Sequence, residues 1–283
     1  MTERAMMERI VIVTGAARGL GREMTLALAA AGARVVGVDL AGSGDELNDL
    51  RRAAEARGIA ADRILAAPGD VTSAADCSAA VDTAVRHFGA VHGLVNNAAV
   101  GMQDIGSVLG ARKKFFEVPL DKWRTVIDVN VNGPFTMTRA VAPSLIRQGF
   151  GRIVNLVTSY PTMQAAGFSP YGPTKAAIEA ATVIWARDLD GTGVTVNALL
   201  PGGAANTRMI PESDGVDRAT LLQPAIMGPP IVWLMTKADA SVNGRRFIAA
   251  DWDPRLAPDE AARKAGAPAG WYHDAPMAEP VRR

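Results

Sequence analysis

A phenol and an ammonium group stand four positions apart in this chain, at Tyr171 and Lys175. If a helix begins near Ser169 or Pro170, both side chains lie on one helical face, with their Cβ atoms roughly 5–6 Å apart. A cation at that distance favours the ionised phenol, so we expect Lys175 to lower the pKa of Tyr171 from about 10 toward working pH. Such a tyrosine can exchange a proton with a substrate hydroxyl or carbonyl. Because the same spacing occurs in ordinary helices, its context decides between the two interpretations.

A glycine-rich turn near the amino terminus supplies part of that context. The β-branched run 9–13 breaks at Thr14-Gly15-Ala16-Ala17-Arg18-Gly19-Leu20-Gly21, and a helical pattern follows to residue 31. Strand, glycine turn and helix in this order are typical of dinucleotide binding. Gly15 would allow the tight turn, Gly19 the close approach of a pyrophosphate, and Gly21 the packing of helix on strand. The free N–H groups at the helix start would attract the phosphates.

The second strand, residues 34–38, ends on Asp39. A carboxylate at this position can accept hydrogen bonds from ribose hydroxyls and repels a 2′-phosphate, which favours NAD over NADP. Arg18 argues in the opposite direction, since a cation in the glycine turn could pair with a 2′-phosphate. We give Asp39 more weight and expect NAD as the cofactor, with NADP as the alternative.

The remaining elements predict how these residues come together. Further strands are expected near residues 63–67, 91–95, 152–157, 194–200 and 246–249, and they alternate with helices near 42–57, 73–88, 119–148, 171–189 and 230–237. This alternation predicts parallel βαβ units, which is an α/β, Rossmann-like doubly wound sheet in a single domain. We expect residues 1–250 to form that domain, with a substrate lid at about 203–228. Residues 251–283 would be a C-terminal extension rather than a separate domain.

Composition excludes several classes of function. The chain has 283 residues, 48% of them hydrophobic, and a formal charge of +1, so neither nucleic acid nor a membrane surface is an expected partner. Cys77 is the single cysteine, which fits a reducing, cytoplasmic compartment. The first nine residues lack an apolar stretch, and no apolar run reaches the ~20 residues of a membrane-spanning helix. The three histidines show no ligand spacing, and we expect no metal site.

The glycine turn, the segment Asn96-Asn97-Ala98-Ala99, Asn130, and Tyr171 with Lys175 occur in one characteristic order and spacing. In this combination the chain resembles the classical short-chain dehydrogenase/reductase (SDR) family over roughly residues 9–250. The resemblance implies a seven-stranded doubly wound sheet and a catalytic tetrad of Asn, Ser, Tyr and Lys. In such enzymes the tyrosine is the general acid/base, the lysine lowers its pKa and holds the nicotinamide ribose, the serine binds the substrate oxygen, and the asparagine fixes a water that relays protons.

Transferred by position, the resemblance assigns the tetrad to Tyr171, Lys175 and Asn130, while the serine position falls on Thr158, with Ser159 one residue later. Either hydroxyl could serve. We favour Ser159 slightly, because a one-residue loop difference is common. The cofactor contacts implied by the resemblance are Gly15, Arg18, Gly19, Leu20, Gly21, Asp39, Asp70, Val71, Asn97, Ala98, Tyr171, Lys175, Pro201, Gly202 and Thr207.

The resulting hypothesis is an oxidoreductase that transfers hydride reversibly between a secondary alcohol or ketone and NAD(H). The alternative is a catalytically silent NAD(H)-binding sensor of the same fold, motivated by the irregular serine position. The resemblance implies a homotetramer or homodimer joined through the helices near 119–148 and 171–189, and the aromatic tail could cross to a neighbouring subunit. Candidate pocket residues suggest a hydrophobic or ring-bearing alcohol: Met102, Phe115, Phe116, Met163, Phe168, Met209 and Ile210.

Overall fold

A computed structural model of the chain describes residues 8–103, 105–108 and 110–271. Eight strands form one sheet: β1 (Ile10–Thr14), β2 (Arg34–Asp39), β3 (Ile64–Pro68), β4 (Gly93–Asn96), β5 (Gly151–Leu156), β6 (Val194–Leu200), β7 (Arg245–Ile248) and β8 (Gly266–Pro268). Their spatial order is β3-β2-β1-β4-β5-β6-β7-β8. Strands β1 to β7 pair in parallel, and β8 pairs antiparallel with β7. The predicted Rossmann-like doubly wound sheet is confirmed, with one strand more than the seven expected.

Nine α-helices of the described residues accompany the sheet: α1 (Gly19–Ala30), α2 (Gly44–Ala56), α3 (Ala74–Phe88), α4 (Leu120–Ile127), α5 (Gly133–Arg147), α6 (Tyr160–Met163), α7 (Tyr171–Asp188), α8 (Gly228–Thr236) and α9 (Pro258–Ala265). Each sheet face packs on its own set of helices, because side chains alternate along a strand. In β1, Val11 and Val13 join the hydrophobic core that contains α1, α2 and α8. Ile10 and Ile12 point into the opposite core with α3 and α5.

A π-helical segment, Asp128–Asn132, joins α4 to α5 within the stretch 119–148, where the sequence analysis expects one helix. Pro134 has no backbone N–H, so it cannot donate to the carbonyl group four residues earlier, at Asn130. Insertions of this kind often mark functional positions in helices. Asn130 is 1% exposed here, so the irregular turn places its amide inside the protein.

The C-terminal extension adds elements that the sequence analysis did not predict, namely α9 and β8. Trp252 packs beside Trp233 with ring centroids 5.9 Å apart, and α9 contributes Ala261 and Ala262 to the core of the α1 face. The described part of the extension, which ends at Trp271, therefore packs on its own chain. The division into a domain of residues 1–250, a lid and an extension remains a prediction.

The carboxyl ends of β1 and β4 lie side by side, because these two strands pair in parallel. The strand order reverses between these two strands, since β1 continues to β2 on one side and the chain returns through β4 on the other. Ligands of doubly wound sheets bind in the crevice at such a switch point. The fold thus brings the glycine turn, the ends of β4 to β6 and the start of α7 to one edge.

Candidate active site

A cleft of about 1160 Å³ opens at the carboxyl ends of the parallel strands. This volume exceeds the roughly 300–1,000 Å³ of common small-molecule sites, so it can accept a dinucleotide together with a second molecule. The predicted site residues that line it are Gly15, Arg18, Gly19, Leu20, Asp39, Asp70, Val71, Asn97, Ala98, Thr158, Ser159, Tyr171, Lys175, Pro201, Gly202 and Thr207. Gly21 and Asn130 lie behind this lining.

The glycine turn is built for close contact. Gly15 has φ 65° and Gly19 has φ 56°, a region that other residues rarely adopt. A Cβ atom on Gly21 would lie 2.0 Å from the Gly15 carbonyl oxygen, so α1 can approach the turn only with glycine at this position. Asn97 fastens the turn from β4, since its Nδ2 donates to the carbonyl oxygens of Thr14 at 2.8 Å and Gly15 at 3.0 Å. The amide of Asn97 therefore shapes the site through the backbone.

The carboxylate of Asp39 faces this turn from the tip of β2. Its Oδ2 accepts a hydrogen bond of 3.0 Å from the Ala17 N–H, and its Oδ1 accepts from Leu40 N at 2.9 Å and from Ser43 Oγ at 3.2 Å. These donors hold the carboxylate at the rim of the cleft, where the sequence analysis places an adenosine ribose. On the neighbouring strand end, Asp70 Oδ1 accepts from the Thr72 N–H at 2.8 Å and closes its own loop.

Three charged groups meet near the glycine turn, and sequence reasoning found one of them, Arg18. Arg18 Nη1 lies 3.2 Å from Glu46 Oε1, and Arg208 Nη1 contacts the same carboxylate oxygen. Arg18 comes from the glycine turn, Glu46 from α2 and Arg208 from the predicted lid. Glu46 gave no local signal, because a glutamate on a polar helix looks like any solvated surface residue. The side chain of Arg18 is thus already paired with a carboxylate.

Tyr171 and Lys175 occupy the first two turns of α7, as predicted. Lys175 Nζ lies 5.7 Å from the centroid of the Tyr171 ring and donates a hydrogen bond of 2.8 Å to the Leu156 carbonyl oxygen. Burial raises the pKa of Tyr171 to about 12 and lowers the pKa of Lys175 to about 8. The predicted downward shift of the Tyr171 pKa is therefore wrong for this arrangement. Removal of the phenol from water outweighs the attraction of a cation at this distance.

Two hydroxyl groups follow β5, and their surroundings differ. Ser159 Oγ accepts from the Thr162 N–H at 3.3 Å and lies 2.8 Å from Thr162 Oγ1, so it caps the short helix α6. Thr158 lines the cleft, as Ser159 does, but the Thr158 hydroxyl has no hydrogen-bonding partner among residues 8–103, 105–108 and 110–271. The geometry therefore favours Thr158 for the serine role, whereas the sequence analysis slightly favoured Ser159. A helix start needs a side-chain acceptor at its N-cap, which occupies Ser159.

Both polar atoms of the Asn130 side chain have hydrogen-bonding partners, which are the backbone of Val100 and the Thr174 hydroxyl. Its Oδ1 accepts from Val100 N at 2.8 Å, and its Nδ2 donates to Val100 O at 2.8 Å and to Thr174 Oγ1 at 3.2 Å. Thr174 directly precedes Lys175 on α7. Asn130 thus connects the loop after β4 with the helix that carries Tyr171.

The walls beyond Tyr171 are mainly apolar. Met102, Phe168, Met209 and Ile210 line the cleft, as the sequence analysis proposed. Met163 is buried without lining it, and Phe115 and Phe116 are 71% and 68% exposed elsewhere. These two phenylalanines belong to a short 3₁₀ turn, where they contact each other edge to face. For Phe115 and Phe116 the pocket prediction was wrong, because their turn projects them to the surface.

Two contacts made by residues of the predicted lid, 203–228, order the far wall of the cleft. Sequence reasoning missed both of them. Arg218 donates to the carbonyl oxygens of Thr207 at 2.9 Å and Ile210 at 2.7 Å. Asp214 accepts from Ser107 Oγ at 2.6 Å and Val108 N at 3.0 Å, which ties the lid to the loop after β4. These partners lie up to 107 positions apart in sequence, so no local pattern could reveal them.

Comparison with known proteins agrees with this geometry. The family model described as short chain dehydrogenase matches residues 9–215. Fluoren-9-ol dehydrogenase of Terrabacter sp. is 32% identical over 280 residues, covering 89% of this chain and 76% of the relative. A 3-oxoacyl-[acyl-carrier-protein] reductase of Synechocystis sp. is 31% identical over 249 residues, covering 86% and 96%.

Two further relatives extend this comparison. A 3-alpha-(or 20-beta)-hydroxysteroid dehydrogenase of Mycobacterium bovis is 31% identical over 245 residues, covering 85% of this chain and 87% of the relative. A Beutenbergia cavernae protein assigned as an NAD(P)-dependent gluconate 5-dehydrogenase, with NADP bound at low occupancy, has a TM-score of 0.72 and 26% identity. That alignment covers 85% of this chain and 94% of the other. In the described ranges, no helix is long and apolar enough to span a bilayer.

The packing at Gly21 generates a test of the glycine turn. We expect Gly21→Ala to lower the thermal midpoint sharply or to prevent soluble expression, because its Cβ would collide with the Gly15 backbone; overpacking typically costs about 1–3 kcal/mol or more. Gly44→Ala is the matched control, since no atom lies within 4 Å of its Cβ position at the start of α2. Equal thermal midpoints for Gly21→Ala and Gly44→Ala would contradict the close contact.

Proposed function

Because the chain belongs to the short-chain dehydrogenase family of oxidoreductases, we propose that it transfers hydride reversibly between a secondary alcohol or ketone and NAD(H). The observation that carries the proposal is the convergence of Tyr171, Lys175 and Thr158 on one cleft with the glycine turn. A pure nucleotide sensor needs the turn but not these three groups. The sensor alternative rested on the irregular serine position, and a threonine hydroxyl at the cleft wall removes that reason.

The residues present fit a bound dinucleotide. Gly15 and Gly19 leave the backbone open to phosphate groups, and the N-terminus of α1 adds free N–H donors at the same place. Asp39 faces the position of an adenosine ribose. When bound, the nicotinamide supplies or accepts the hydride. The protein then has to bind and orient both molecules, exclude water and move one proton.

The proton step is proposed for Tyr171. In oxidation its phenolate oxygen would accept the proton of the substrate hydroxyl, and in reduction its phenol would return a proton to the developing alkoxide. The Thr158 hydroxyl would donate a hydrogen bond to the substrate oxygen. Lys175 would hold the nicotinamide ribose and stabilise the phenolate, and Asn130 would order the backbone and a relay water beside Lys175.

We propose NAD as the cofactor in preference to NADP. Asp39 would have to lie beside a 2′-phosphate if NADP were bound, and two negative charges repel each other there. Arg18 could offset this repulsion, but Glu46 already accepts its hydrogen bond. The solved relative that carries NADP leaves both cofactors open for the family. The side chains around the ribose position therefore support the choice.

We propose a hydrophobic, ring-bearing alcohol or ketone as the substrate. Met102, Phe168, Met209 and Ile210 give the cleft an apolar wall opposite the polar residues Thr158 and Tyr171. Sites of this kind bind the apolar part of a ligand and orient the ligand through a few polar groups. Two relatives act, by their names, on fluorenol and hydroxysteroids, which are both polycyclic secondary alcohols.

We further propose that the protein is a cytoplasmic homotetramer or homodimer joined through α4 to α5 and α7. Phe135 on α5 is 53% exposed and Ile184 on α7 is 55% exposed. Exposed apolar side chains on these helices are consistent with burial against a second copy. Sedimentation or light scattering would measure the assembly directly.

We predict that Tyr171→Phe lowers turnover by at least ~10²–10⁴-fold, because general acid/base catalysis is lost. NADH affinity, measured by nucleotide fluorescence, should change by less than about threefold, since the aromatic ring remains and only the hydroxyl group is lost. Retained turnover in Tyr171→Phe would exclude Tyr171 as the general acid/base.

In the wild type, the rate of alcohol oxidation should rise with pH from about 7 to 10, because the reactive phenolate forms as pH approaches the raised pKa of Tyr171.

Mutations can distinguish Thr158 from Ser159 as the hydroxyl group that binds the substrate oxygen. We expect Thr158→Ala to lower kcat by roughly 10²-fold, as for loss of one donor to a developing oxyanion, and Thr158→Ser to retain most activity. Ser159→Ala should lower stability by about 1 kcal/mol through loss of the α6 cap, with turnover within about fivefold. Steady-state kinetics measure the change in turnover, and thermal unfolding measures the change in stability. The reverse pattern would assign the role to Ser159.

Cofactor choice can be tested at Glu46. Glu46→Gln removes the carboxylate that holds Arg18 and Arg208, so both cations become available to a 2′-phosphate. We expect the ratio of the NADPH to the NADH dissociation constant to fall about tenfold, the size of one modest charge-assisted hydrogen bond. Glu23→Gln is the matched control, because Glu23 pairs with Arg57. An unchanged ratio in Glu46→Gln would contradict this role.

A further inference from the structure

A buried ion pair lies next to Thr158, and the proposed reaction gives it no part. Glu179 of α7 is 0% exposed, Arg246 of β7 is 6% exposed, and Arg246 Nε lies 3.2 Å from Glu179 Oε1. Transferring both charges from water into the protein is costly, and apolar residues of similar volume often give equal or greater stability. Stability alone therefore does not explain the pair. The other contacts of Glu179 and Arg246 explain why the pair is present.

The first of these contacts reaches the backbone of the active site. Arg246 Nη2 donates a hydrogen bond of 3.1 Å to the Thr158 carbonyl oxygen. Lys175 Nζ donates to the Leu156 carbonyl oxygen two residues earlier, at 2.8 Å. Two buried cations thus hold the carbonyl groups on either side of Val157. The backbone that presents the Thr158 hydroxyl to the cleft is fixed by both.

The second contact is with Tyr160, the first residue of α6. The guanidinium carbon of Arg246 lies 3.8 Å from the centroid of the Tyr160 ring, which is a close cation–π distance. The Tyr160 hydroxyl is 3.1 Å from Glu179 Oε1 and 2.8 Å from the Gly270 carbonyl oxygen. The ion pair therefore holds the chain both at Thr158 and two residues later.

The third contact comes from the C-terminal extension. Gly270 N donates to Glu179 Oε1 at 3.0 Å, and its φ of 92° is one that glycine adopts without strain. β8 delivers this residue, since Ala267 lies opposite Arg246 in the antiparallel pair and Ala269 N donates to Gly244 O at 3.0 Å. One carboxylate oxygen of Glu179 thus joins the catalytic helix, the Thr158 loop and the extension.

We propose that the Glu179–Arg246 pair is a positioning element that orients Thr158 toward the substrate oxygen, and that residues 269–271 complete it. The proposal rests on the function proposed above for Thr158. Small displacements of a positioned group can reduce rates by about 10²-fold. The glycine turn makes no hydrogen bond to the pair, so cofactor binding should be independent of it.

The central experiment is Arg246→Lys, measured by steady-state kinetics and by NADH titration. Lysine keeps the charge but lacks the planar fork that reaches Glu179, Thr158 and the Tyr160 ring together. We expect kcat to fall roughly ten- to hundredfold, with the NADH dissociation constant within about twofold. Arg152→Lys is the matched control: Arg152 is 7% exposed and donates to the Ala238 carbonyl oxygen, near the amino end of β5. Its kcat should stay within about twofold. An equal loss in both variants, or none in Arg246→Lys, overturns the proposal.

A double-mutant cycle tests whether the effect passes through Thr158. In a Thr158→Ala background, Arg246→Lys should change kcat by less than about threefold, because the group that it positions is already absent. A purely structural role would give additive losses. Full additivity of the two substitutions therefore overturns the proposal.

Two truncations test the contribution of the extension. A chain ending after Pro268 lacks the Gly270 contacts, and its kcat should fall as in Arg246→Lys. A chain ending after Trp271 retains all contacts described here and should keep its kcat within about twofold. An equal fall in both truncated chains, or in neither, overturns the role assigned to residues 269–271.

If none of the alcohols or ketones tested gives turnover, the proposed function is contradicted. Hydrogen exchange then still tests the positioning role by itself. Amides of residues 157–163 should exchange faster in Arg246→Lys and in the chain ending after Pro268 than in the wild type. Arg152→Lys should leave these amides unchanged. Unaltered exchange of residues 157–163 in the first two proteins overturns the positioning role without reference to catalysis.

Discussion

The ammonium group of Lys175 is buried at the end of β5, where it donates to the Leu156 carbonyl oxygen at 2.8 Å. This contact fixes the start of α7 against the strand that leads into Thr158. Burial is also what sets the chemistry of the helix start, since it raises the pKa of Tyr171 and lowers the pKa of Lys175. Both groups are therefore nearer to their neutral forms, because burial disfavours the charged form of each.

The loops around this fixed helix are fastened by contacts of long sequence separation. Asn130 connects Val100 with Thr174, and Asp214, in the segment 203–228 that is predicted to be a lid, accepts a hydrogen bond from Val108 in the loop after β4. Glu46 connects the segment 203–228 to the glycine turn through Arg208 and Arg18. Residues of the segment 203–228 thus contact both α2 and the loop after β4.

The extension contributes to the same site from the opposite side. Trp252 and α9 pack into the core of the α1 face, and β8 continues the sheet beyond β7. β8 runs antiparallel to β7, from Phe247 toward Arg245, and Gly270, two residues beyond its end, donates to Glu179 on α7. The segment that follows this extra edge strand contacts α7, the helix that carries Tyr171.

Much of the architecture could be predicted from local patterns. The alternation of apolar runs with amphipathic segments indicated the parallel sheet, because side-chain period and strand length are local properties. The glycine turn, Asp39 and the pair Tyr171 and Lys175 were recognisable because each depends on spacing within a few residues. The predicted strand and helix bounds agree with the structure to within a few residues for the same reason.

Other features depended on the folded molecule. The direction of the Tyr171 pKa shift required knowledge of burial, since spacing shows the lysine but not the loss of water. The choice between Thr158 and Ser159 required the start of α6, and the surface position of Phe115 and Phe116 required the turn that carries them. The pairing of Glu179 with Arg246 joins residues that are distant in sequence. Sequence spacing determined which groups lie on one element, whereas desolvation and contacts between elements, which arise only in the packed chain, decided how those groups act.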